Sequence, residues 1–247
     1  MTKNPMYRLL LPLIALGLLL CPPAFGFFEV LDDLQQELSE EESTDDPLNL
    51  DDLIQDLEET TQQPAMSFTD VPQSAWYFNA VTMVAARGIV SGYKDANGNP
   101  TGIFGPGNPV TIAEILKMAY EAAGVMTATC KQSVNFPQAT AHWAKPYVAC
   151  AEEGGMRVLH LQPDLNRGAT RSEVLSIVHD AFRVQVPAGS SPFTDTVNHP
   201  YEADIALAAA NGVVSGDKGA DGRPTGTFRP DDGVNRAEAA QIIAKSL

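Results

Sequence analysis

Residues 68–124 read FTDVPQSAWYFNAVTMVAARGIVSGYKDANGNPTGIFGPGNPVTIAEILKMAYEAAG. Val81, Val84 and Ala85 fall on one helical face, and Gly88 supplies the stop, so the spacing predicts a helix over 76–87. The stretch 94–109 is turn chemistry, with Asn97-Gly98 and Pro106-Gly107. A second helix starts at Thr111 and repeats Ile112, Ile115, Leu116, Ala119 and Ala123, the stripe of a half-buried helix. The chain plays this pattern twice more. One copy opens FPQATAHWAKPYVACAEEGG at Phe136 and closes NRGATRSEVLSIVHDAF; the next opens FTDTVNHPYEADIALAAANGVVSG at Phe193 and closes GVNRAEAAQIIAKSL. The matching helices are expected over 142–153 and 170–182, then 200–211 and 235–246. Strand is expected only as short pieces around Ile89-Val90, Val213-Val214 and Phe104. A unit this small cannot bury its own apolar face, so the copies must share one core.

The fold class expected is therefore mainly α. The segments are 1–26, a signal peptide; 27–65, an acidic spacer; and three repeats at 66–126, 127–187 and 188–247. In the first segment, Lys3 and Arg8 precede the apolar run Leu9 to Leu20, too short to span a bilayer comfortably and suited to a secretory signal. Ala24-Phe25-Gly26 offers a cut after Gly26. Lipidation at Cys21 competes with it, although Leu20 stands where a small residue is required, and an uncleaved anchor is a third reading. Cleavage leaves a secreted protein with no membrane span.

Charge is distributed unevenly. The net −15 of the chain gathers in 29–65, which carries 14 acids and no Lys or Arg, whereas 66–247 carries 14 bases and 17 acids. No basic stripe exists to displace counterions from phosphates, which excludes nucleic acid as a partner. In the spacer, Leu31, Leu34 and Leu38, then Leu50, Leu53, Ile54 and Leu57, recur at helical spacing. Runs this short, with like charges on their polar faces, are marginal helices in water. The segment reads as a solvated spacer; the sharper alternative is a docking segment for a partner or for the repeats.

Three cysteines are present. Cys130 and Cys150 can form a disulfide in an exported protein or pack as free thiols. Neither belongs to a CxxC pair, and no zinc site follows. Asp95, Asn97 and Asn99, and later Asp217 and Asp221, open like calcium loops. Pro106 and Phe228 stand where the closing glutamate belongs, so turn formation is the reading and no metal or cofactor is expected. His142 and His199 sit at matching places and read as capping or packing residues. No catalytic triad or phosphate loop appears, and an enzyme is not expected.

The second helix of each repeat opens with four equivalent residues: Thr111-Ile112-Ala113-Glu114, Thr170-Arg171-Ser172-Glu173 and Asn235-Arg236-Ala237-Glu238. Cap residue and glutamate form a capping box. Arg171 and Arg236 then stand in the first helical turn, where free N–H groups and the helix dipole favour an anion. A guanidinium fork there suits a carboxylate or phosphate. The competing reading is a salt bridge to Glu173, Glu238 or a neighbouring repeat. Trp76 and Trp143 stand at the start of the first helices. Such indoles more often plug a core, but a partly exposed one can stack on a sugar face. The candidate ligand-binding set is Arg171, Arg236, Trp76 and Trp143.

FTDVPQSAW, the helix ending ARGIVSGY, and FGPGNPVTIAE resemble the S-layer homology (SLH) repeat, whose closing signature is written T-R-A-E. The resemblance covers about residues 68–247 in three copies. It implies a pseudo-threefold helical bundle and non-covalent attachment to the cell envelope. The implied partners are cell-wall polysaccharide carrying pyruvate ketals, or peptidoglycan, and other surface-layer proteins. It assigns the acidic-sugar contact to the motif arginine in grooves between repeats, hence to Arg171 and Arg236. Three departures stand out: Ile112 replaces the arginine in the first repeat, the second lacks the long loop, and Pro200-Tyr201 replaces the tryptophan in the third. The rival to glycan binding is a structural or protein-interaction role in a surface layer.

Overall fold

The computed structural model describes residues 67–247. The signal segment, Cys21 and the leucine stripes of the acidic spacer lie outside the described residues. Six α-helices follow in pairs: α1 Phe78–Ala86 and α2 Ile112–Ala122, α3 Lys145–Glu153 and α4 Arg171–Ala181, α5 Glu202–Ala210 and α6 Arg236–Ser246. The three second helices start at the expected places because the complete capping box forms in each, at Thr111/Glu114, Thr170/Glu173 and Asn235/Glu238. The first helices start two or three residues later than expected. None of them has a side-chain N-cap, so the residues ahead of them close into turns instead. Gly88, Gly155 and Gly212 end all three with φ between 68° and 71°, a conformation that disfavours any Cβ.

The expected strand pieces do not form among the described residues. In their place, isolated bridges join the three repeats just before the second helices: Pro109 to Asn235, Thr111 to Gly168 and Thr170 to Gly233. Three hydrogen bonds make this a closed ring. The Val110 N–H donates to the Val234 carbonyl at 3.0 Å, Val234 to Ala169 at 3.1 Å, and Ala169 to Val110 at 2.8 Å.

Helices α2, α4 and α6 pack on one another around this ring. Each first helix packs on the second helix of the preceding repeat: α3 on α2, α5 on α4, and α1 back on α6. One continuous core results, holding Val81, Ile115, Leu116, Val148, Ile177 and Ile243. The bundle is pseudo-threefold and mainly α. Its closure requires all three repeats, since α1 packs on α6 of the third repeat.

The FTD triplets of the first and third repeats position the loops. The Asp70 carboxylate accepts the N–H groups of Phe104 at 2.8 Å and Gly105 at 2.7 Å. Asp195 does the same for Phe228 and Arg229. In the middle repeat Gln138 Oε1 accepts from Leu165 N–H instead. Cys130 and Cys150 are joined, Cα to Cα 5.1 Å, tying the opening segment of the middle repeat to α3.

Candidate functional site

In the structure, the first backbone N–H groups of α4 and α6 are already bonded. The N–H groups of Arg171 and Ser172 donate to the carbonyls of Asp232 and Pro230, and those of Arg236 and Ala237 to Asn108 and Pro106. The next N–H in each helix goes to the cap side chain. These bonds assemble the ring between repeats. The expectation of backbone N–H groups waiting for an anion is therefore corrected: any anion has to be met by side chains.

Those side chains line two grooves. The first, of about 170 Å³, takes residues from all three repeats: Tyr93, Glu114 and Lys117 from the first, Trp143 from the second and Arg236 from the third. The second, of about 300 Å³, likewise brings together Trp76 of the first repeat, Arg171 of the second, and Glu238, Gln241 and Lys245 of the third. Thus each sequence-predicted arginine meets a tryptophan, and the pairs are Arg236 with Trp143 and Arg171 with Trp76.

The tryptophans are not core plugs. Trp76 is 63 % exposed and Trp143 54 %. Each stands on a neighbouring ring, Trp76 edge-on to Tyr77 and Trp143 tilted on His142. His142 caps the turn that presents Trp143: its Nδ1 accepts the Ala144 N–H at 3.1 Å, and its Nε2 lies 3.1 Å from Asn166 Oδ1. His199 repeats that arrangement with Tyr201 N–H and Asp231. The capping expectation for both histidines accords with this geometry.

The arginines are held rigidly. Arg236 donates from Nε to the Phe104 carbonyl at 2.9 Å and from Nη1 to Glu114 at 3.3 Å. Its guanidinium lies 4.9 Å from the centre of the Tyr93 ring and 5.0 Å from that of Phe104. Only 9 % of the side chain is exposed. Arg171 repeats the pattern on Phe228, with Nε 2.9 Å from its carbonyl and the guanidinium 4.6 Å over its ring. Its salt bridge to Glu238 is longer, 3.9 Å, and 15 % of the side chain is exposed. Burial lowers the Arg171 pKa from its ordinary value, with Glu238 opposing that. The salt-bridge reading of the arginines holds across repeats, since each is a partner to a capping-box glutamate, and each also lines a groove.

The third interface is closed. Ile112, in the arginine position, is fully buried. Glu173 turns to Arg167 of its own repeat, which grips both carboxylate oxygens. Although burial raises the Glu173 pKa, the bonds from Arg167 and the Thr170 N–H outweigh it and hold the carboxyl below its ordinary value. Arg157, two residues past the Gly155 stop, opens a 3-10 turn, Arg157–Leu161, that the sequence did not announce. Its Nη1 and Nη2 both donate to Asp204 at 2.8 Å, and its Nε donates to Asp180 at 2.9 Å. His179 Nδ1 also lies 2.8 Å from Asp204. Ser176, the counterpart of Lys117 and Gln241, is fully buried and its hydroxyl has no hydrogen-bond partner among the described residues.

The loops that resembled calcium sites are spent on themselves. Asp95 Oδ1 accepts from Asn97 and Asn99 N–H, and Asp217 binds Arg229 through both oxygens. These bonds lower the pKa of Asp95 and of Asp217, the largest contribution coming from the Asn99 N–H in one and from Arg229 in the other.

The groove residues that sequence reasoning missed are Tyr93, Lys117, Gln241 and Lys245. Their signal was available in part: Lys117 and Gln241 lie three residues after the capping-box glutamate, and hence on the same helix face.

Comparison with known proteins agrees with this architecture. The family model for the S-layer homology domain matches residues 67–115 and 192–240, within the first and third repeats. The S-layer protein Sap of Bacillus anthracis is 26 % identical over 188 residues, 73 % of this chain and 21 % of that protein. The surface-layer 125 kDa protein of Lysinibacillus sphaericus is 27 % identical over 181 residues, 70 % of this chain and 14 % of that protein. An uncharacterized cell wall amidase of B. anthracis is 26 % identical over 185 residues, 73 % of this chain and 32 % of that protein. The chain thus spans between about a seventh and a third of the length of these relatives.

Proposed function

We propose that this S-layer homology domain protein is a non-covalent anchor at the cell envelope. Its ligand would be an acidic cell-wall polymer, a pyruvylated polysaccharide or peptidoglycan, taken up in the two grooves that pair an arginine with an exposed tryptophan. The single observation that carries the reading is this twice-repeated pairing, each time assembled from all three repeats. An indole face stacks on the apolar side of a pyranose, while a clamped guanidinium meets a carboxylate without losing further side-chain freedom. The relatives named as surface-layer proteins support an envelope location. The Cys130–Cys150 disulfide suits an oxidising compartment outside the cytoplasm, and no helix among the described residues is long and apolar enough to cross a membrane. Binding is the role proposed, and catalysis is not: the amidase name belongs to a relative of which this chain covers 32 %.

The test is cosedimentation with purified sacculi, comparing wild type with Trp76→Ala plus Trp143→Ala. These exposed side chains can be removed without opening the core. Wild type is expected in the pellet and the double variant in the supernatant, a loss of about tenfold in affinity, since stacking contributes about 0.5–1.5 kcal/mol per ring. Equal sedimentation of the two would sink the groove assignment. If wild type fails to sediment and instead forms concentration-dependent oligomers, a structural role in a surface layer replaces the anchor.

A further inference from the structure

We infer that Lys117 makes the Arg236/Trp143 groove selective for a carboxylate, and that the Arg171/Trp76 groove, with Gln241 at the equivalent place, lacks this selectivity. The inference rests on the proposed glycan-binding role and deepens it.

Three positions of the second helices set the chemistry of each interface: the first helical residue of one helix and, from the helix facing it, the capping-box glutamate and the residue three beyond that. They read Ile112, Glu173 and Ser176 at the closed interface; Arg236, Glu114 and Lys117 at the first groove; and Arg171, Glu238 and Gln241 at the second. In both grooves the arginine and the glutamate are already partners, so the glutamate offsets part of the guanidinium's charge before a ligand arrives. Glu114 is engaged through both oxygens: Oε2 accepts the Thr111 N–H at 2.9 Å and the Thr111 hydroxyl at 3.0 Å, and Oε1 accepts from Arg236 at 3.3 Å. Arg236 is bonded through Nε and Nη1 and packed on two rings.

Lys117 is the groove's remaining charge. It is half-buried, lines the same cleft as Trp143, and takes part in none of the ion pairs among the described residues. An ammonium in a narrow, partly desolvated cleft attracts a carboxylate more strongly than one in open solvent. The other groove has no such group on its floor. Gln241 is neutral, and Lys245 is exposed at the helix end, where its Nζ donates to the Gly212 carbonyl at 3.2 Å. Gln241 offers an amide that can donate and accept equally, which suits hydroxyl and acetamido groups.

The experiment measures cosedimentation of the full chain with four preparations of sacculi: intact, stripped of wall polysaccharide with hydrofluoric acid, carboxyl-amidated with carbodiimide, and both stripped and amidated. Lys117→Gln is compared with wild type, with Lys117→Arg as a charge-retaining variant, and with Lys131→Gln as removal of an exposed charge elsewhere. On intact sacculi Lys117→Gln is expected to lose about tenfold in affinity, while Lys117→Arg and Lys131→Gln bind as wild type. On amidated sacculi wild type is expected to fall to the level of Lys117→Gln. Where the difference between the two persists after stripping, the carboxylate belongs to peptidoglycan; where it disappears, the carboxylate belongs to the polysaccharide.

If wild type binds but Lys117→Gln binds intact sacculi equally, the selectivity is wrong and the anchor stands. If Lys131→Gln loses as much as Lys117→Gln, the effect is net charge and the inference falls. Failure of wild type to bind any preparation overturns both this inference and the anchor.

Discussion

Two of the three interfaces in this bundle are open grooves and the third is a closed seam, although all three are built from the same capping-box helix and the same ring of backbone bonds. The difference traces to four substitutions at equivalent places. Ile112 replaces arginine, Ser176 replaces Lys117 or Gln241, Pro200 replaces tryptophan, and Arg157 replaces Val90 or Val214. In the grooves each capping-box glutamate is met by an arginine from the preceding repeat, across the interface; in the seam Arg167 comes from the same repeat. The charge pairing survives in every case, while only two interfaces keep a cleft beside it. A repeat can thus lose its motif arginine and still hold the ring closed.

The seam should dominate stability and the grooves should contribute little. Asp204 is fully buried against Arg157 and His179. Asp204→Ala leaves a buried histidine and a 38 % exposed arginine without their shared partner. The expected loss is about 3 kcal/mol, the low end for a broken buried pair because Arg157 reaches solvent. Urea unfolding measures it, and a loss below about 1 kcal/mol would show that the network does not hold the seam.

Acid should act at the same place. Burial raises the Asp204 pKa, but the hydrogen bonds from His179 and Arg157 outweigh it and leave the carboxyl below its ordinary value. A depressed carboxyl contributes its stability above its unfolded pKa of about 4, and that contribution is lost as pH falls through the folded value. Wild type should therefore lose stability below about pH 4 more steeply than Asp204→Asn. Parallel curves for the two proteins would contradict this. The smallest effect belongs to Ser176→Ala, which removes a buried hydroxyl without a partner and should raise stability by up to about 1 kcal/mol. A loss of 1 kcal/mol would mean that the hydroxyl is bonded after all.

The six helices were legible in the sequence because their signals are local: a capping box opens each second helix, a left-handed glycine ends each first helix, and apolar stripes mark the buried faces. The pairing of Arg236 with Trp143, and of Arg171 with Trp76, was not legible. Each pair draws on residues from different repeats, and only the way α1 closes on α6 brings Trp76 and Arg171 together. The seam was hidden for a related reason. Asp204 sits in an alanine-rich helix and Arg157 follows a glycine stop, 47 positions away, and neither suggests a partner by spacing. The backbone donors of the helix starts were misjudged because the sequence cannot show a neighbouring repeat's carbonyls arriving first.

The chain has two tryptophans, one per groove, and both are exposed. Tryptophan emission during titration with solubilised wall polymer therefore reads the grooves directly, one at a time in Trp76→Phe and Trp143→Phe. The account predicts a saturable change in emission in both single variants. A polymer that binds while the emission of both remains unchanged would place the ligand elsewhere and contradict the account.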